Sequence, residues 1–540
     1  MDKPNIIYIQ SDQHTFDIMS CAGDDVVATP NLDKLANSGT LITNAYAASP
    51  ICVPSRMAAI TGLNPSESEV WTNDQILDSA IPTYAHSLGA NGYNPVQVGR
   101  MHFNGSDQFH GFSERLVGDH GRNHMGSPRD PGTHGELLGT AGPKRISLKE
   151  SGIGQTAYQV HDEIVSSEAV KYIDSLGEKD NNDPISLSIG LMLPHQPFIA
   201  SKEDYEKYED KVGMPKNPAK PLEECHPYIQ WWRKQTGSEE VSKDEMKRCR
   251  IAYYALVDRM DKIIGDIIDS LERNGFMENT MIVYTSDHGE QLGEHGLWWK
   301  QTFYEDSVKV PAIISWPGHI PEKQVLNSVI NQYDLIATML DASGSPALPR
   351  SNGKSLLKHL QDPIKNKWEN LAFSEYCMDD SSVHDFSGNL SVGKFNNLDV
   401  HAKEGGVQNR MVRKDNYKLI YYHGYDAELF DLENDPDELN DLSSDNNYIS
   451  KKNELLDLVL KNWDPEKIHK RMIVLKNHLN FAFCSFRRLW KRPFTDAITL
   501  LGVSKTKRES KSQTLYVEGM TLYRRDCDTG GPKTSVTDIS

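Results

Sequence analysis

The 540-residue sequence is poor in cysteine, and its seven cysteines are scattered without a CxxC pair. An odd number of cysteines without a CxxC pair argues against a disulfide framework and against a thiolate zinc site. Such thiols are typical of a reducing compartment, so we expect a cytoplasmic protein. The cysteines stand at positions 21, 52, 225, 249, 377, 484 and 527.

Long apolar runs and a secretion signal are also missing. No apolar run reaches the roughly 18 residues that a membrane-spanning helix needs, so the sequence predicts no membrane partner. The N-terminal residues Met-Asp-Lys-Pro lead directly into a strand-like run, without the basic and apolar regions of a signal peptide. A chain trimmed of its leader would show the same pattern.

The sequence has no overall excess of positive charge. Its formal net charge is −18 and its pI is near 5.5, which disfavours binding to nucleic acid or to anionic membranes. Residues 481–540 are the exception, with 11 basic and 6 acidic side chains. We expect this basic tail to pack on the body of the protein or on a neighbouring subunit of a homo-oligomer.

Strand and helix patterns alternate along most of the chain and predict an α/β fold. Residues 5–9 and 281–285 are short apolar runs of the kind buried in parallel sheets. Residues 245–275 carry apolar side chains at helical spacing, and Thr29-Pro30 is a suitable N-cap and first residue for another helix. We therefore expect a large, mostly parallel or mixed sheet sandwiched by helices.

The pattern changes near residue 366, where short alternating runs favour a smaller antiparallel unit. We predict an α/β domain that carries the site, a C-terminal α+β subdomain and the basic tail. Two long segments rich in glycine and polar residues are expected to be either functional loops or surface insertions. The predicted units are 1–365, 366–480 and 481–540, and the two segments are 118–155 and 376–409.

Polar side chains follow two of the predicted strands. Asp12 and Gln13 come after the first, and Asp287 and His288 come after the strand at 281–285. Ligands bind at the carboxyl ends of parallel strands, and oxygen donors with one imidazole suit a hard divalent cation. The alternative is that each aspartate caps a following helix.

Residues 50–62 read Pro-Ile-Cys-Val-Pro-Ser-Arg-Met-Ala-Ala-Ile-Thr-Gly. Pro54 suits the start of a short helix and Gly62 suits its end. Cys52 would then lie at the positive end of that helix, aimed at an anion, with Arg56 beside it.

The segment at residues 52–62 resembles the signature of the type I, formylglycine-dependent sulfatases of the alkaline-phosphatase superfamily. Residues 5–12, 29–33, 285–290 and 429–436 resemble further segments of that family. The resemblance implies a sulfuric ester hydrolase that cleaves a sulfate monoester. It also implies that a formylglycine-generating maturation enzyme converts Cys52 to formylglycine, whose hydrate supplies the nucleophile.

The resemblance implies a divalent metal, with calcium expected and magnesium or manganese as alternatives. Its ligands would be Asp12, Gln13, Cys52, Asp287 and His288. The family often has a second aspartate in place of Gln13, and glutamine there resembles the phosphonate and phosphodiester branch.

Six side chains would be catalytic by the same resemblance. Arg56 would hold the formylglycine, Arg100 would bind sulfate where the family usually has lysine, and His102 would be the base that resolves the covalent intermediate. His195 would contact sulfate or protonate the leaving oxygen, and Lys300 would bind sulfate and the leaving group. The predicted catalytic residues are Cys52, Arg56, Arg100, His102, His195 and Lys300.

The substrate is left open between a sulfated sugar and a small organic sulfate. Residues 101–112 resemble choline sulfatases, but the sequence does not locate the aromatic and carboxylate cage that choline would need. Two other functions remain as alternatives. One is a phosphonate monoester or phosphodiester hydrolase on the same fold, and the other is a non-catalytic protein that binds sulfated glycans.

Overall fold

The computed structural model describes residues 3–120, 140–178, 183–378, 407–475, 515–517 and 520–522. Half of the 118–155 segment, most of the 376–409 segment and most of the 481–540 tail lie outside these residues. The roles expected for them, and the division into three units, therefore stay predictions.

The strands of the described residues fall into one large sheet, one four-stranded sheet and two small pairs. Their bounds are β1 Asn5–Asp12, β2 Gly39–Tyr46, β3 Asn94–Gly99, β4 Glu114–Val117, β5 Gly152–Ile153, β6 Ile185–Pro194, β7 Ile199–Ala200, β8 Thr280–Ser286, β9 Lys309–Val310, β10 Ala312–Ser315, β11 Gln324–Asn331, β12 Leu371–Met378, β13 Val407–Lys414, β14 Tyr417–Tyr422, β15 Glu428–Asp431, β16 Leu515–Val517 and β17 Met520–Leu522.

Along the chain, most of the helices lie between strands of the large sheet. Among the described residues, no helix combines the length and the apolar character that a membrane span requires. Their bounds are α1 Pro30–Asn37, α2 Cys52–Thr61, α3 Pro65–Ser68, α4 Tyr84–Ala90, α5 Arg145–Lys149, α6 Ala157–Gly177, α7 Lys202–Glu206, α8 Pro227–Thr236, α9 Lys243–Arg273, α10 Glu305–Val308, α11 Gln332–Ala342, α12 Leu357–Gln361 and α13 Ile449–Leu460.

The large sheet has the order β11-β2-β10-β8-β1-β6-β3-β4, with β9 paired to β2. β1 lies near its centre and runs parallel to both β6 and β8, whereas β10 is antiparallel to its neighbours. Ile7 and Ile9 pack on one face with α6 and α9, and Ile6 and Tyr8 pack on the other with α2, α4 and α11. The predicted mixed sheet between helical layers is confirmed.

The two predicted helices form with small differences at their ends. α9 begins after Ser242, whose hydroxyl accepts a hydrogen bond from the Glu245 N–H, and Gly275 follows it with φ +73°. α1 begins at Pro30 as expected, but the Thr29 side chain does not cap it. The carboxylate of Asp261, on α9, accepts the first N–H groups of α1 instead.

The strands after residue 371 form the antiparallel sheet β12-β13-β14-β15, as predicted. One buried lysine ties this sheet to the loop before α10. Lys418 of β14 donates to the Phe303 carbonyl and to Glu305, each at 2.8 Å, and it also donates to Glu438. Its side chain is fully buried, and Glu305 and Glu438 are the acidic groups that balance its charge.

Replacing Lys418 tests this contact between the sheet and the body. We expect Lys418→Met to lower the free energy of unfolding by about 3–5 kcal/mol, because it removes the cation that pairs with the buried Glu438 and leaves Glu305 with the more distant Arg413, at 3.7 Å. Urea unfolding at neutral pH, followed by fluorescence, measures the change. The matched control is Lys451→Met, which breaks an exposed pair with Glu454 and should cost less than about 1 kcal/mol. Equal stabilities of the two variants would contradict the assignment.

Candidate active site

Cys52 is the first residue of α2 and is buried. The helix begins two residues earlier than Pro54 indicated, and it ends at Gly62, whose φ is +71°. The side chain of Asn73 accepts a hydrogen bond from the N–H of Val53 at 2.9 Å. The Cys52 side chain therefore lies at the positive end of the helix, as predicted.

The parallel pairing of β1 and β8 places the two motifs that the sequence predicts to bind metal side by side. Ser11 of β1 pairs with Ser286 of β8, so Asp12 and Asp287 leave the sheet at the same edge. Asp12, Cys52, Asp287 and His288 each offer one ligating atom, and these atoms lie within 4.8 Å of one another. Asp287 accepts the backbone N–H groups of Gln13 and His288 rather than capping a helix.

Arg56 lies between the two aspartates and is fully buried. Its Nε donates to Asp287 at 2.8 Å, and its Nη2 donates to Asp12 at 3.2 Å. Its remaining hydrogen bonds go to Gln10 and to the carbonyls of Ser11 and Arg100. These donors face the two carboxylates and not Cys52, so the geometry makes Arg56 a structural cation for the aspartates.

Arg100 contacts two predicted site residues at once. Its Nε donates to Asp12 at 2.5 Å and its Nη2 donates to His102 Nδ1 at 2.9 Å. The Asp119 carboxylate accepts the N–H of His102, which has φ +64°. Burial alone would raise the pKa of Asp12, but Arg100 and Arg56 hold it well below its usual value.

Lys300 reaches the site from the loop after β8. Its Nζ donates to Gln13 Oε1 at 2.7 Å, to His195 Nε2 at 3.0 Å and to Cys52 Sγ at 3.1 Å. The Nδ1 of His195 is 2.6 Å from the Gln196 carbonyl and donates to it, which leaves Nε2 as an acceptor. Burial lowers the pKa of His195 and Lys300 lowers it further, which favours this neutral ring.

The surroundings of Cys52 favour a negative charge at this position. Burial alone would raise the pKa of the thiol, but Lys300 and His288 bring it well below its ordinary value. Hydrogen bonds from His102 and His195 act in the same direction. A pocket that stabilises an anion at residue 52 can also stabilise an oxyanion that stands in its place.

The donor set fits a hard divalent cation. Two carboxylates and the amide oxygen of Gln13 are oxygen donors of the kind that Ca²⁺, Mg²⁺ and Mn²⁺ prefer. His288 Nδ1 lies 3.1 Å from the carbonyl of Gly289 and donates to it, so Nε2, which lies 3.2 Å from Cys52 Sγ, is the nitrogen that can bind a metal. These residues could therefore hold the metal that the sequence resemblance implied.

Several residues of the site were missed by the sequence analysis. Glu290 and Gln196 accept hydrogen bonds from the Gln13 amide, and each stands next to a residue of a quoted motif. That adjacency was the one available signal for them. Asn73 gave none, because it comes from a stretch of sequence that no pattern singled out. Gln10 lies in the quoted segment 5–12 and Asp119 in the segment 118–155, but neither pattern assigned the side chain a contact in the site.

A family model described as Sulfatase matches residues 4–345. This range is more than half of the chain, and the chain belongs to the sulfatase family.

Two curated relatives are each 30% identical to the chain. The choline-sulfatase of Rhizobium meliloti (strain 1021) aligns over 82% of this chain and 82% of its own length. Arylsulfatase K of Bos taurus aligns over 82% of this chain and 79% of its own length. A crystal structure of the phosphonate monoester hydrolase of Agrobacterium radiobacter has a TM-score of 0.67 at 21% identity, over 85% of this chain and 95% of that chain. The structural likeness shows a shared fold.

The family and the named relatives establish the class of reaction. The chain is an enzyme of the sulfuric ester hydrolase class, with an alkaline-phosphatase-like fold. This finding disfavours the alternative of a non-catalytic glycan-binding protein.

Arg100→Lys tests the forked contact with Asp12 and His102. Lysine is a point charge and cannot hold both partners, so we expect kcat/KM on an aryl sulfate to fall by about 10–100-fold. Sulfate release measures the change, and circular dichroism checks that the fold is intact. Arg471→Lys, which alters an exposed pair with Glu69, is the control and should leave activity unchanged. Wild-type kinetics in the Arg100 variant would remove this residue from the working site.

Proposed function

We propose that this enzyme hydrolyses a sulfate monoester to an alcohol and inorganic sulfate, using a formylglycine formed from Cys52. The observation that carries the proposal is the position of Cys52. It begins a helix, it is buried, and it contacts both Lys300 and His288. A residue in this position faces a metal-binding cluster on one side and a cationic side chain on the other.

A divalent metal would be held by Asp12, Gln13, Asp287 and His288, with Ca²⁺ as the expected ion. When bound, it would supply positive charge that polarises a sulfate oxygen and favours a deprotonated hydroxyl at residue 52. Formylglycine in its hydrated form supplies that hydroxyl as the nucleophile for sulfur.

The other side chains then have separate tasks. Lys300 lies against both Cys52 and His195, so it can bind a sulfate oxygen and stabilise the charge that grows on the leaving oxygen. His195 and His102 both lie within hydrogen-bond reach of residue 52 and can move protons there. Arg100 holds Asp12 and His102 in place, in addition to the sulfate contact that the sequence predicted.

The substrate class that we propose is a sulfated sugar or a small organic sulfate. The similarity to a protein named choline-sulfatase supports a small organic sulfate. The similarity to a protein named arylsulfatase K supports a sulfate ester of a ring compound. We further propose a cytoplasmic location, maturation by a formylglycine-generating enzyme, and a homo-oligomer with contacts through the basic tail.

Peptide mass spectrometry tests the conversion of Cys52. When the protein is produced together with a maturation enzyme, the peptide that contains Cys52 should be about 18 Da lighter than its cysteine form. Cys52→Ala should abolish sulfate release while leaving the fold intact. The Cys249→Ala variant is the control, because that buried thiol lies against the Leu148 carbonyl and should leave activity unchanged. Full activity in Cys52→Ala would refute the proposal.

Glutamine at position 13, where the family often has an aspartate, leaves one negative charge fewer at the metal site. This difference favours one alternative, a phosphonate monoester or phosphodiester hydrolase. We expect the matured enzyme to turn over an aryl sulfate with a higher kcat/KM than the matching aryl phosphodiester or aryl phosphonate. Side-by-side rates from one preparation decide the question. A clear preference for the phosphorus esters would replace the sulfatase assignment with this alternative.

A further inference from the structure

Glu290 is a fully buried carboxylate next to Gln13, and it accepts hydrogen bonds from neutral N–H groups. One of its oxygens, Oε2, accepts a hydrogen bond from the Gln13 amide nitrogen. The other, Oε1, accepts the backbone N–H groups of Leu292 at 2.8 Å and Trp299 at 2.7 Å. Both carboxylate oxygens are therefore engaged by N–H donors.

The contacts of Gln13 determine which way its amide points. An amide has two N–H donors on nitrogen and an acceptor oxygen on the other side. The nitrogen donates to Glu290 and, at 2.6 Å, to Gln196 Oε1. Both donors are used on the inner side, so Oε1 faces the site and lies 2.7 Å from Lys300 Nζ.

On the other side of the site, Oε1 of Glu290 contacts the backbone next to Lys300. Trp299 has φ +64°, a backbone conformation that few residues with a side chain adopt. Its N–H donates to Glu290, and the next residue is Lys300, which reaches Cys52. One carboxylate thus contacts the ligand candidate Gln13 and the backbone beside the cationic Lys300.

We propose that Glu290 is a positioning residue that presents the Gln13 amide oxygen-first to the metal and holds the backbone that carries Lys300. This inference rests on the proposed function, because it takes Gln13 as a metal ligand. Glutamine in place of a second aspartate works as an oxygen donor only if its orientation is set, and Glu290 with Gln196 sets it.

Glu290→Gln is the test, because it keeps the size of the side chain and changes one acceptor into a donor. The amide oxygen of the new side chain can still accept from Leu292 and Trp299. Its nitrogen then faces the nitrogen of Gln13, and two donors cannot bond, so Gln13 must turn its own nitrogen toward the metal. We expect the affinity for Ca²⁺ or Mn²⁺, measured by titration calorimetry on the full chain, to fall about 10–100-fold.

A metal-free measurement separates positioning from general instability. With chelator present, Glu290→Gln should melt close to the wild-type temperature, whereas the rise in melting temperature on adding metal should shrink. Glu290→Asp provides a second variant. It keeps the charge but withdraws the oxygen from Gln13, so metal affinity should again fall.

Two further variants sharpen the test. In the double variant Gln13→Glu with Glu290→Gln, the amide nitrogen at position 290 can donate to the carboxylate at position 13. This variant should bind metal several-fold more tightly than Glu290→Gln alone. Glu294→Gln is the matched control. Glu294 also accepts two backbone N–H groups, those of Lys216 and Asn217, and its hydrogen bonds do not involve site residues, so metal affinity should stay at the wild-type value.

The outcomes are distinguishable. A wild-type protein that binds neither Ca²⁺ nor Mn²⁺ would overturn the metal assignment of the proposed function and this inference with it. Wild-type binding with an unchanged affinity in Glu290→Gln, or no recovery in the double variant, would overturn the inference and leave the proposed function standing.

Discussion

Asp12 is the last residue of β1, and Asp287 directly follows β8, the parallel strand beside it. Arg56 of α2 donates to the carboxylates of both. All three side chains are fully buried, so each charge needs the others to offset the loss of water. Arg56 also donates to the carbonyl of Ser11, and the hydroxyl of Ser55 donates to the carbonyl of Asp287. The helix that begins at Cys52 is thereby attached to both strand ends, and the rest of the site depends on this attachment.

This attachment explains how one anion-binding position can sit beside two carboxylates. Arg56 and Arg100 offset the charge of Asp12, which reduces the repulsion between that carboxylate and an anion at residue 52. Lys300 and His288 then lower the pKa of the Cys52 thiol against the effect of burial. The overall acidity of the chain has little bearing on this pocket, because water and salt screen the distant exposed carboxylates, whereas the buried cations lie within a few ångströms of Cys52.

Sequence reasoning located the strands, the long helix and the motif residues, because their patterns are local. Apolar runs report burial on both faces, and the residues after a parallel strand lie at a known edge of the sheet. It was wrong about one detail that depends on a partner far along the chain. The cap of α1 comes from Asp261 and not from Thr29. The role predicted for Arg56 stays a prediction, and the structure adds its contacts with the two aspartates.

The sequence by itself determined the class of fold, the family and the residue types that surround Cys52. Only the tertiary structure decided which donor faces which acceptor. The sequence assigned no role to Glu290, Gln196 or Asp119, and they matter because chain folding brings them to Gln13 and His102. Periodicity and spacing report burial and chain direction, but the orientation of an amide or a guanidinium is set by hydrogen bonds between distant segments.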